Sequence, residues 1–176
     1  MTLVRQGRRL VVVGMFALAL AGCGQSGTGS STSKAPASTR PIHPTAATVY
    51  RDFVKAGLPA SGLIVYTATT DPNNLLGRPN GYTSKCAWLD RRVPASDATA
   101  ASSGDIGNGG GVEVFPTAAE ATARAAYLFS IYKGAPILGS EYDYLAGPVL
   151  IRVSYYLTPA QAASYGTAAK AALYTG

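Results

Sequence analysis

Hydrolytic, nucleophilic or metal chemistry in this chain has to be built from one histidine, two cysteines and nine carboxyl groups. The histidine, His43, lies among Pro, Ser and Thr residues and cannot serve there as a positioned general base. No Ser–His or Cys–His pair can therefore be assembled in the part of the chain that folds. Cys86 is the one thiol of the region that folds, Cys23 standing in the stretch before it, so no disulfide forms within that region. A reactive thiol needs an electropositive, partly exposed setting. Strand alternation turns Lys85 to the opposite face, so Cys86 reads as a buried residue beside Trp88, with intermolecular pairing or a functional thiol as alternatives. Glu141 and Asp143 stand two apart on a strand, with both carboxyls on one side. Paired carboxylates can hydrolyse glycosides. Their alternation with Tyr142 and Tyr144 predicts instead an amphipathic strand, aromatics inward and acids in water. Asp71, Asp105 and Asn108 lack the spacing of a metal loop. No metal, no cofactor and no catalytic residue are expected.

The leader has its own pattern. Arg5, Arg8 and Arg9 precede a short apolar run from Leu10 to Ala21, and small residues follow. This is the order of a secretory signal. Twelve residues at ~1.5 Å each cannot span a hydrocarbon core of ~30 Å, so the run is not a membrane anchor. Arg8-Arg9-Leu10-Val11 also fits a minimal twin-arginine export pattern, but the rest of the fuller motif is missing and a plain basic n-region is the favoured reading. Without the three leader arginines, twelve basic residues face nine acidic ones, a net +3 rather than +6. Arg91-Arg92 is the densest basic pair of the remainder. A nucleic-acid surface needs a basic stripe that tracks phosphates, and nucleic acid is not expected as a partner.

The run ends in Leu20-Ala21-Gly22-Cys23, which resembles the lipobox of bacterial lipoproteins. The resemblance implies cleavage between Gly22 and Cys23, diacylglycerol on the Cys23 sulfur and a palmitate-type acyl anchor to the membrane. Two acyl chains hold stably where one holds marginally. Localisation is then the outer face of the cell membrane. Residues 1–22 are read as signal peptide and 23–44 as a lipidated cysteine plus tether. The tether sequence GQSGTGSSTSKAPASTRPIHP is too poor in large apolar residues to offset its ordering entropy. As a coil of ~20 residues it would reach ~25 Å.

Residues 45–176 are read as one domain. Thr45 opens a helix to Ala56 with Val49, Phe53 and Val54 on one face and Gly57 as its stop. Leu63–Tyr66 is a strand. Asp71-Pro72-Asn73-Asn74 and Arg78-Pro79-Asn80-Gly81 are turns, with a single helical turn at 74–77 between them. Tyr82–Leu89 is a strand with Tyr82, Ser84, Cys86 and Trp88 on one face. Pro94–Asn108 is a loop long enough to be mobile, functional or both, and Gly109–Phe115 is the next strand. Thr117 and Glu120 form a capping box for a helix to Lys133, with Ala121, Ala125, Leu128 and Tyr132 as its buried stripe. Glu141–Leu145 and Val149–Tyr155 form a hairpin. Thr158 and Pro159 open a last helix to Leu173. The sum is an α+β fold: a small antiparallel sheet of about four strands with about three helices packed on one face.

The stretches DPNNLLGRPNGYTSK, GGGVEVF and EYDYLAGPVLIRVS with LTPAQA are similar to small lipoproteins of high-GC Gram-positive bacteria. That group brings no established activity and adds no catalytic residue. The functional expectation is a non-enzymatic binding or assembly module of the cell envelope, meeting an envelope protein or glycan. Its candidate surface comprises Asp71, Asn73, Asn74, Arg78, Tyr82, Tyr142 and Tyr144, with the 94–108 loop beside it. The alternative is a carrier or sensor of a sugar or cell-wall fragment, using a tyrosine-lined cleft. Tyrosine, with an apolar body and a polar tip, suits either.

Overall fold

Three helix starts follow from side chains that satisfy the first free amides. A computed structural model of the protein describes residues 44–98, 103–135 and 140–174. The leader, Cys23, the tether, His43 and the centre of the 94–108 loop lie outside them. In helix α1 (Ala46–Lys55) the Thr45 and Thr48 side chains cap reciprocally. In α2 (Ala118–Gly134) the Thr117 hydroxyl accepts from the Glu120 amide and donates to its carboxylate. In α3 (Pro159–Tyr174) the Gln161 amide donates to the Thr158 hydroxyl and the Thr158 amide to the Gln161 side-chain carbonyl. Each such cap contributes ~1 kcal/mol.

The strands are β1 (Ala60–Val65), β2 (Ser84–Asp90), β3 (Gly109–Val114), β4 (Glu141–Ala146) and β5 (Val149–Ser154). They form one antiparallel sheet in the order β1-β2-β3-β5-β4. The α+β class is as expected, and the sheet has five strands rather than about four. The β4–β5 hairpin turns at Gly147-Pro148, where Gly147 supplies a φ of +54° that suits a two-residue turn. On edge strand β1 the register slips between Ser61 and Ile64, a bulge that contains Gly62 at φ +60°. All five strands lie within one compact unit, Arg40–Gly176.

Strand alternation divides the side chains into two layers. Cys86, Trp88, Val112, Val114, Val149, Ile151 and Val153 face α1 and α3. The rings of Phe53, Trp88 and Tyr165 meet there pairwise with centroids 5.0–5.3 Å apart, joining α1, β2 and α3. Tyr144 packs against Gly166, where a Cβ would stand 2.8 Å from the ring. The other layer holds Tyr82, Phe115, Ala121, Leu128 and Leu150 under α2, with Leu75 and Leu76 of the turn segment beside them.

The helices therefore do not share one face: α1 and α3 cover one side, α2 the other. The reason is the sheet itself, which carries side chains on both faces that need covering. Tyr82 precedes β2 and joins the α2 layer, not that of Cys86 and Trp88. Val54 is exposed rather than on the buried stripe of α1. Residues 74–77 form turns instead of a helical turn, with Asn74 and Gly77 at positive φ. Strand β5 ends at Ser154, and Tyr155 and Tyr156 stack on each other in the following turn with centroids 4.1 Å apart.

Candidate functional site

The face beneath α2 is built from charged side chains that alternation forces inward. Lys85 of β2, Glu113 of β3, Arg152 of β5 and Glu141 and Asp143 of β4 all point to it. Burying a charge is costly unless it is paired and hydrogen-bonded, and the pairing is what organises this side of the molecule.

Asp71 is the first hub. Its carboxylate accepts from Lys85 Nζ at 2.8 Å, from the Tyr82 hydroxyl at 2.7 Å and from the amides of Asn73, Leu75 and Leu76. Burial pushes this carboxyl up, but the hydrogen bonds from Lys85, Tyr82 and Leu75 outweigh it and hold it well below the usual carboxylate range. Lys85 also lies over the rings of Tyr66 and Tyr82, 4.8 and 5.3 Å from their centroids. The turn segment 71–82 is thus nailed to the sheet at its base, while Asn73, Asn74 and Arg78 are exposed on its crest. Arg78 donates to the Asn74 side chain at 2.6 Å.

Arg152 is the second hub. It gives Nε and Nη2 to Glu141, both at 2.9 Å, Nη1 to Glu113 at 3.1 Å, and a longer bond to the Tyr132 hydroxyl. Glu113, buried, also accepts from Arg124 of α2 at 3.1 Å. The Arg124–Glu113 ion pair and the Arg152–Tyr132 hydrogen bond tie α2 to the sheet. Asp143 stands directly opposite Arg152 in the β4–β5 register. It receives nothing from that guanidinium, and its Oδ1 is buried without a hydrogen-bond partner. Burial first, and then the neighbouring Glu141 charge, push the Asp143 carboxyl up to about 7.

Two grooves flank α2. One, of about 720 Å³, runs between the helix and the turn segment, with Asn73, Asn80, Glu120, Arg124 and Tyr127 among its walls. Tyr127 is mostly exposed, and the Arg124 guanidinium lies 5.5 Å from its ring centroid. The other, of about 760 Å³, lies between α2 and β4 and is walled by Ala125, Phe129, Tyr132, Lys133, Asp143 and Leu145.

The expected binding surface is only partly assembled. Asn73, Asn74 and Arg78 share an exposed crest, but Asp71 and Tyr82 are buried beneath it as structural anchors. Tyr142 and Tyr144 are half-buried on the opposite face, against the α3 layer. Nor do Glu141 and Asp143 face open water: α2 covers that side of β4, and Arg152 holds Glu141. The tyrosines that line the two grooves beside α2 are Tyr127 and Tyr132, which the sequence pattern placed on no surface. Cys86 is fully buried beside Trp88, its Sγ donating to the Ala46 carbonyl. Burial pushes its thiol up to about 12. Among the described residues no group of three or more His, Cys, Asp or Glu could hold a metal ion, and no helix is long and apolar enough to cross a membrane. Of the 94–108 loop, Asp105 caps a 3-10 turn at Ile106–Asn108. The turn is fastened by Ser154, which donates to the Gly107 carbonyl at 2.6 Å.

Compared with protein-family models, with curated proteins and with solved structures, the chain matches none.

Proposed function

We propose that the protein is an exported lipoprotein held to the outer face of the cell membrane through lipid on Cys23, and that its domain is a non-enzymatic binding module of the envelope. The groove between the turn segment and α2 carries this reading. Exposed amides at Asn73 and Asn80 and the exposed ring of Tyr127 face one another across it. Each wall is fixed from below, by Asp71–Lys85 on one side and Arg124–Glu113 on the other. Polar groups pre-positioned on a rigid base lose little freedom on binding. The address rests on Leu20-Ala21-Gly22-Cys23 and the arginine-led apolar run before it. The partner is an envelope protein or glycan.

A carrier or sensor of a sugar or cell-wall fragment is the second reading. The volume of the groove, about 720 Å³, favours it, being within the range of small-ligand sites. The stacked Arg124 and Tyr127 offer a flat platform suited to a sugar ring.

The test is site-specific photo-crosslinking in cells, with the probe at Asn80 or Tyr127 and a control probe at Thr167 on α3, beside a Cys23→Ala variant. Crosslinks confined to the groove probes, lost together with membrane association in Cys23→Ala, support an anchored module. Equal crosslinking from Thr167, or unchanged membrane association without Cys23, overturns the reading. Crosslinks to a free sugar or cell-wall fragment, rather than to an envelope protein or polymeric glycan, decide for the carrier.

A further inference from the structure

We propose that the second groove, between α2 and β4, is a binding site for a small organic ammonium ion, with Asp143 as its counter-ion and Phe129 and Tyr132 as its aromatic walls. This inference is independent of the lipid anchor and of the groove on the other side of the helix.

Charge balance carries it. The ionic groups under α2 are Arg124 and Arg152 against Glu113 and Glu141, and these four satisfy one another: Arg124 with Glu113, Arg152 with both glutamates. Asp143 is a fifth ionic group, and among the described residues no cation is ion-paired with it. Arg152, across the register, has turned its Nε and Nη2 to Glu141. Lys133 lines the same groove from α2 but is exposed and makes no ion pair with Asp143. Tyr132 presents its ring to the groove while its hydroxyl accepts from Arg152. A buried carboxylate short of donors is expensive, and such a group keeps a proton instead; here that proton is shared with the neighbouring Glu141 carboxylate. A cation beside Asp143 would replace it.

The surroundings select which cation. A bare metal ion would want several oxygen ligands; of the two carboxylates that line the groove, Glu141 is held by Nε and Nη2 of Arg152, which leaves the Asp143 carboxyl alone. Ala125, Ala126 and Leu145 give the groove an apolar lining, and Phe129, two-thirds exposed, gives it a free ring face. An ammonium group on an organic body matches all three features: it donates to the Asp143 carboxylate, restores charge balance and lies against aromatic rings. The groove, of about 760 Å³, has room for a ligand of that kind.

The probe is benzylamine, with benzyl alcohol as its neutral counterpart, titrated calorimetrically into the full-length protein in detergent at pH 5 and pH 8. Benzylamine is protonated at both values, whereas Asp143 passes from neutral to ionised between them. Benzylamine should bind roughly tenfold or more tightly at pH 8 than at pH 5, and benzyl alcohol should show no such rise. Asp143→Asn should abolish the rise while leaving the fold intact. The carboxyl carbon resonance of Asp143 in the wild-type protein, followed by NMR, reads the same event without a substitution: benzylamine should move its titration to lower pH. Equal binding of amine and alcohol, a benzylamine affinity that ignores pH, or an Asp143 titration that ignores benzylamine would each overturn the proposal.

Discussion

Lys85 and Asp71 meet 2.8 Å apart inside the protein, fourteen residues apart in the chain, and their contact pins the 71–82 segment to β2. Lys85 is 6% exposed at its side chain and Asp71 not at all. Such a pair is not a large source of net stability, because both ions were drawn out of water. Its removal from one side only is what costs.

Asp71→Ala should therefore destabilise the fold by about 3–5 kcal/mol in urea titration, leaving a buried ammonium and three unsatisfied amides. Lys85→Met in the same chain should recover part of that loss. A double variant no better than Asp71→Ala alone would show that the amides, not the lysine, carry the cost. The Asp71 carboxyl is held below its ordinary range in the folded chain. Its contribution is present above about pH 4 and should fade as pH falls below it.

Asp143 has the opposite sign. Its folded carboxyl keeps a proton up to about pH 7, while the unfolded chain releases it near pH 4. The folded state binds the extra proton between those values, so this group's contribution to stability declines as pH rises from about 4 to 7. Asp143→Asn should stabilise the protein at pH 8 by on the order of 2 kcal/mol and have little effect at pH 4. Urea melts at the two pH values measure the difference. Equal effects at both would mean that Asp143 ionises normally.

Gly166→Ala should lower stability by about 1–3 kcal/mol, because the added methyl meets the Tyr144 ring at 2.8 Å in a packed layer. The same substitution at Gly134, where no atom lies within 4 Å of the added Cβ, should be neutral or stabilising. Thermal melts of the two variants side by side make the comparison, and a neutral Gly166→Ala would show that α3 slides easily over β4.

What could be read from the sequence was local. The caps at Thr45, Thr117 and Thr158 declare the helices within three residues of their starts, and the Gly147-Pro148 hairpin is a short-range signal of the same kind. The side of the sheet on which each element lies is set by distant partners and was not legible in that way. Alternation in EYDYLA predicts two faces correctly; it does not say that α2 will cover the acidic one. Asp71 sits in strong turn chemistry and reads as surface until Lys85 is seen to need an anion. A usable signal did exist. Lys85 in SKCAWLD and Arg152 in VLIRVS are single cations inside otherwise apolar strands, and such residues call for buried carboxylates elsewhere in the chain. That demand alone makes Asp71, Glu113 and Glu141 candidates for the interior.

The bulge in β1 bears on how copies of this chain behave at close quarters. An outer strand offers a row of free amides and carbonyls to any passing strand, and Leu63 and Val65 make this one sticky as well. The extra residue between Ser61 and Ile64 throws that row out of step. A second chain could align with one half of it or the other, never with both, and the edge is a poor template for fibrous growth.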